Sequence, residues 1–137
     1  MRVILDTNVL VAALIATNGP HRRLFEAFLD DEFTLISGDM QIEEFSRVTR
    51  YPVIRSRIHP AQASGMLNAI RSLAVNIKNP PTQSVSRDPH DDFLFALAQA
   101  GEADYLVTGD KADVLALGRH GKTRIVTARK LIGILKL

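Results

Sequence analysis

The chain contains no cysteine, which excludes a disulfide framework, a thiolate metal site and a cysteine nucleophile. Tryptophan is also absent, and six Phe and two Tyr offer little for stacking nucleic-acid bases. No apolar run approaches the ~18 residues of a membrane span; the longest, Val9–Ala16, has eight. The opening MRVILDTN places a single Arg ahead of the apolar stretch and lacks a cleavage site, so no signal peptide is expected. A glycine-rich phosphate loop of either common type is missing, which argues against a nucleotide-driven enzyme. What remains is an ordinary globular composition over 137 residues, 46% hydrophobic and 23% charged. A chain of this length buries roughly 68% of the surface its unfolded form exposes. One cytoplasmic domain spanning residues 1–137, folding without staples, is therefore expected.

Charge is scarce in net terms, 17 bases against 15 acids for +2, but it is unevenly placed. Residues 1–44 hold eight acids and three bases, and residues 88–113 hold seven acids and one base. Residues 45–87 and 114–137 hold seven and six bases and no acid at all. Acids gathered at helix N-termini and bases on solvated faces explain part of this. The remainder suggests an acidic centre that binds cations, rimmed by a surface that binds phosphates.

Short apolar runs alternate with helical stretches along the chain. Strands are expected at 2–5, 33–36, 74–77, 105–108 and 124–126. Helices are expected at 9–16, 21–30, 37–50 with Ser37 as N-cap, 60–73, 88–100, 111–119 and 128–135. The basic segment VIRSRIHP reads as a loop, and 79–87 as the clearest one. Asp88-Pro89 opens its helix with an N-cap carboxylate followed by proline. The alternation predicts an α/β domain with a parallel five-stranded sheet and helices on both faces.

Open parallel sheets present their sites at the carboxyl ends of strands. Asp6 follows RVIL directly and Asp110 follows YLVTG, although each could equally be a helix N-cap. On the 37–50 helix, Met40, Ile42, Phe45 and Val48 define an apolar face. Glu44 lies roughly 65° from its centre and Glu43 roughly 165° away, so Glu44 is the candidate. In DPHDDFLFALAQA, Asp91 holds the third helical position, where an acid serves the cap and the helix dipole. Asp92 heads the inward row toward Ala96 and Ala100. Asp113 stands one turn after Asp110 and is either a further ligand or a surface charge.

Together these segments resemble a known family. DTNVLVAAL, ISGDMQIEEFSRVTRYP, RDPHDDFLFALAQAGEADYLVTGDKADVL and RIVTARKLIGIL look like the PIN-domain nucleases. The match is closest to the toxins of bacterial and archaeal toxin–antitoxin pairs, the VapC-like group. The resemblance covers essentially the whole chain. It implies a three-layer fold with strand order 3-2-1-4-5 and a cluster of acids formed by Asp6, Glu44, Asp92 and Asp110, with Asp113 as an additional acid. Thr7, Asn8, Ser37 and Thr108 match polar positions that support such a site. His90 stands where the family commonly has another acid.

Carboxylates that converge repel one another, an arrangement a divalent cation relieves. All-oxygen ligands suit Mg²⁺ or Mn²⁺ rather than zinc. The expected function is metal-dependent endoribonuclease action on RNA phosphodiesters, as the toxin of a toxin–antitoxin pair. Arg47, Arg50, Arg55, Arg57 and Arg87, from or beside the acid-free stretch, are candidates for holding the RNA backbone. A cognate antitoxin over the acidic cleft and a homodimer are the expected protein partners. Two alternatives stand beside this reading. An aspartate-dependent phosphohydrolase also begins with Asp after its first strand, but Asn8 replaces the second aspartate of the haloacid dehalogenase motif. A non-catalytic module could use the same fold to bind RNA or protein.

Overall fold

The fold is that of a computed structural model, which describes the chain apart from residues 17, 79, 81–88, 110–114 and 116 and the side chains of 89–91. RVIL forms β1 (Arg2–Leu5), and because Val3, Ile4 and Leu5 are all apolar the strand can be covered on both faces. Val3 and Leu5 enter one hydrophobic cluster while Ile4 enters the other, as the period of two requires. The same split separates Leu35 from Ile36 in β2 (Thr34–Gly38).

Among the described residues the sheet has six strands in the order β3-β2-β1-β4-β6-β5. β3 (Val75–Ile77), β4 (Tyr105–Val107) and β6 (Thr123–Val126) complete a five-stranded parallel set with β1 and β2. Among these five the order is the expected one. The count of five is corrected by β5 (Arg119–His120), which pairs antiparallel with β6 at the sheet edge. The hairpin turns through Gly121 at φ +59°, the left-handed conformation that two-residue turns require. Arg119 therefore belongs to a strand, where a helix ending at that residue was expected. A two-residue strand carries too little side-chain alternation to be read from sequence.

One face of the sheet is covered by α1 (Thr7–Ile15), α2 (Pro20–Leu29), α3 (Asp39–Val48), α5 (Pro60–Leu73) and α7 (Ala128–Leu135). The other is covered by α6 (Pro89–Ala100), whose residues Asp92–Ala98 are all buried. Basic VIRSRIHP is not wholly a loop, because Pro52–Arg55 forms a single helical turn, α4, with proline at its start. At the start of α3, Gly38 is the N-cap in place of the expected Ser37, which is the fourth residue of β2.

Candidate active site

The parallel strands end together on one edge, and the chain leaves β1 there at Asp6. Asp6 N–H donates to the Val107 carbonyl at 2.9 Å, which aligns the end of β1 with the end of β4. The residue sits at the N-cap position of α1, yet its side chain accepts no capping bond. Its backbone carbonyl instead accepts from the N–H groups of Val9 and Leu10 at 2.9 and 3.2 Å. The carboxylate turns to the neighbouring strand end, where Thr108 Oγ1 donates to Oδ2 at 3.0 Å. Asp6 is 2% exposed and Thr108 1%. Burying a carboxylate is costly without compensation, and a helix cap does not provide that compensation here.

Glu44 is half-buried on α3 while Glu43 is exposed, the division expected from the helical wheel. The wheel was wrong at Met40, which is 53% exposed; Gln41 is buried in its place. The reason is a polar chain that sequence reading missed. Ser37 Oγ donates to Gln41 Oε1 at 2.6 Å, and Gln41 Nε2 donates to the Leu5 carbonyl at 2.6 Å. This chain ties α3 to the last residue of β1, one position before Asp6. No helical spacing announces this pair, because Ser37 belongs to β2 and only Gln41 to α3. Gln41→Ala should destabilise the fold by about 1–3 kcal/mol, since it strips two buried groups of their partner. Urea unfolding of Gln41→Ala, Ser37→Ala and the double variant should give a double loss smaller than the sum of the singles.

Asp92 is 6% exposed in the first half of α6, and α6 packs on β1, β2 and β4. Thr7 follows Asp6 at 1% exposure, and its Oγ1 has no hydrogen-bond partner among the described residues. Asn8 is exposed on the first turn of α1. By contrast Asp104 is structural: its Oδ2 accepts from Arg2 N–H at 2.8 Å, and Arg2 Nε donates to the Gly101 carbonyl at 2.6 Å. That clasp closes the opposite edge of the sheet, where β1 and β4 begin.

Asp110, Asp113, Asp88 and Arg87, and the side chains of His90 and Asp91, lie outside the described residues. Among the described residues no three His, Asp or Glu side chains form a group that could hold a metal ion. The candidate donors that are described, Asp6, Glu44 and Asp92 with the orphaned Thr7 hydroxyl, are all hard oxygens, which fits Mg²⁺ or Mn²⁺ by chemistry. Arg47, Arg50, Arg55 and Arg57 are all exposed along α3, α4 and their flanks. No helix among the described residues is long and apolar enough to cross a membrane.

Comparison with known proteins agrees with this architecture. An uncharacterized protein of Methanocaldococcus jannaschii is 27% identical over 124 residues, covering 89% of this chain and 78% of its own length. A family model described as PIN domain matches residues 2–112, a span that contains Asp6, Glu44, Asp92 and Asp110. The chain belongs to the PIN-domain family, whose fold is of the nuclease type.

Proposed function

We propose that this protein is a Mg²⁺- or Mn²⁺-dependent endoribonuclease whose metal-holding acids are Asp6, Glu44, Asp92 and Asp110. The observation that carries the reading is the Asp6 carboxylate. It is buried at the carboxyl edge of a parallel sheet and held by Thr108 rather than spent on capping α1. When bound, a divalent ion would supply a more acidic water and charge neutralisation at the phosphate. The protein's own work is orientation. Thr108 fixes the rotation of the Asp6 side chain, and the Ser37–Gln41–Leu5 chain holds α3, and so Glu44, against the end of β1. Glu44, half-buried where Asp6 and Asp92 are buried, accepts a hydrogen bond from the attacking water. One bond forms between that water and phosphorus, and one breaks to a ribose oxygen, which takes up a proton.

The VapC-like motifs support a more specific role: a cytoplasmic toxin, a single domain acting as a homodimer and restrained by a cognate antitoxin. The nuclease reading is tested with end-labelled single-stranded RNA in Mg²⁺, Mn²⁺ or EDTA. Internal cuts are expected with either metal and none in EDTA. Undiminished cutting in EDTA would remove metal dependence, and a stable aspartyl-phosphate on Asp6 would replace the reading with a phosphohydrolase.

A further inference from the structure

Between the end of α3, the single turn α4 and the start of α5 lies a cleft of about 170 Å³. It exists because Tyr51-Pro52 stops one helix and Pro60 starts another, so the chain bends round the space between them. Phe45 and Leu67 contribute apolar wall, while Arg50, Arg55, Ser46 and Ser64 contribute polar groups. Neither guanidinium forms an ion pair or side-chain hydrogen bond among the described residues, and neither serine hydroxyl is engaged there. Their own stretch of chain supplies no counter-charge, since residues 45–87 contain no acid.

Two further features suit an anion. The 14-residue α5 starts at the cleft with no acid in its first turn and no side-chain cap, so its own first turn leaves the positive end of its dipole uncompensated. At the end of α3, Thr49 Oγ1 hydrogen-bonds the Phe45 and Ser46 carbonyls at 2.9 and 3.1 Å, which blunts the negative end of that helix. The volume is well below the roughly 300 Å³ at which pockets for drug-sized molecules begin. It therefore suits a phosphate group rather than a whole nucleotide or a length of peptide. Arg forks are the side chains best shaped to hold phosphate oxygens in pairs.

We propose that this cleft holds a phosphodiester of the substrate strand other than the one being cut. The inference rests on the endoribonuclease reading. Arg50 is six residues beyond Glu44, about 9 Å along the helix direction, so a strand crossing the acid site reaches the cleft only when it extends past the scissile bond. Strand length thereby becomes a determinant of binding: long RNA uses both places and a very short oligonucleotide uses one.

The test measures a fluorescein-labelled 15-nucleotide single-stranded RNA of mixed sequence by anisotropy in EDTA, where binding is read without cutting. Arg50→Gln/Arg55→Gln is compared with wild type and with Arg129→Gln, an exposed charge on α7. The double variant should bind about tenfold or more weakly, and its plot of log affinity against log salt should be shallower by about 0.7, the loss of one phosphate contact. In Mg²⁺ its KM for the 15-mer should rise in proportion with kcat little changed, while a trinucleotide is cut as by wild type. Unchanged affinity and salt slope in the double variant would overturn the proposal. So would a poly-glutamate peptide that displaces the RNA as well as unlabelled RNA does at equal charge, since the cleft would then serve acidic polypeptide. Normal RNA binding without cutting in any metal would sink the endonuclease reading instead, so the two failures are told apart.

Discussion

Asp6→Asn is expected to slow RNA cleavage by about 10³-fold or more, about 4 kcal/mol of transition-state stabilisation, while leaving the fold intact. The substitution keeps the shape and an oxygen that can accept from Thr108 Oγ1, which now lies 3.0 Å from Oδ2. What it removes is the negative charge on a group that is 2% exposed, the property needed to hold a cation. Because Asp6 does not cap α1 with its side chain, the helix loses nothing by the change. Circular dichroism and the melting temperature should match wild type, and calorimetric titration with Mn²⁺ should show the lost affinity. Thr108→Val, which removes the supporting hydroxyl and keeps the charge, should cost only about 10–100-fold. Cleavage at the wild-type rate by a folded Asp6→Asn variant would refute the assignment of Asp6.

A large loss of stability from a single added methyl group is expected at Gly38. A Cβ there would stand 2.5 Å from the Ile77 carbonyl oxygen and 3.1 Å from Leu97 Cδ2. The first neighbour is backbone of the paired strand β3, with Gly38 in register with Ile77, so relief requires the sheet itself to shift. Gly38→Ala should therefore cost about 1–3 kcal/mol, the range for forced overpacking. For a chain of this size that lowers Tm by roughly 3–12 °C. Gly65→Ala is the matched contrast. Gly65 lies exposed within α5, and nothing comes within 4 Å of an added Cβ. Its replacement should stabilise the protein by about 0.5–1 kcal/mol through a less flexible unfolded chain. Equal effects of the two substitutions in urea unfolding would contradict the packing argument at Gly38.

Much of the architecture was legible in order along the chain. The stretches expected as strands at 2–5, 105–108 and 124–126 formed β1, β4 and β6, where a sheet covered on both faces buries their apolar residues. Helix starts at Pro20, Pro60 and Pro89 fall on proline, whose fixed φ and missing N–H suit the first helical position. The PIN motifs in the chain pointed to the family before any geometry was known. The two failures around α3 share a cause. Met40 looked like part of an apolar face, but the inward place went to Gln41, whose partner Leu5 is 36 residues away. Ser37 looked like a cap, and it is instead the strand residue that completes the same hydrogen-bond chain.

By itself, then, the sequence determined most of the strands and helices, though neither β5 nor α4, the order of the parallel strands through family resemblance, and which acids are candidates for chemistry. These follow from period, cap residues and motif, all properties of neighbouring positions. Only the tertiary structure decided that the Asp6 carboxylate serves Thr108 across the sheet and not α1, 102 residues apart in sequence. It also decided that Gln41 joins α3 to β1, and that Arg50 and Arg55 share a cleft with the start of α5. The reason is physical: a buried polar group must find a partner, and which one it finds depends on which chain ends the packed sheet brings side by side.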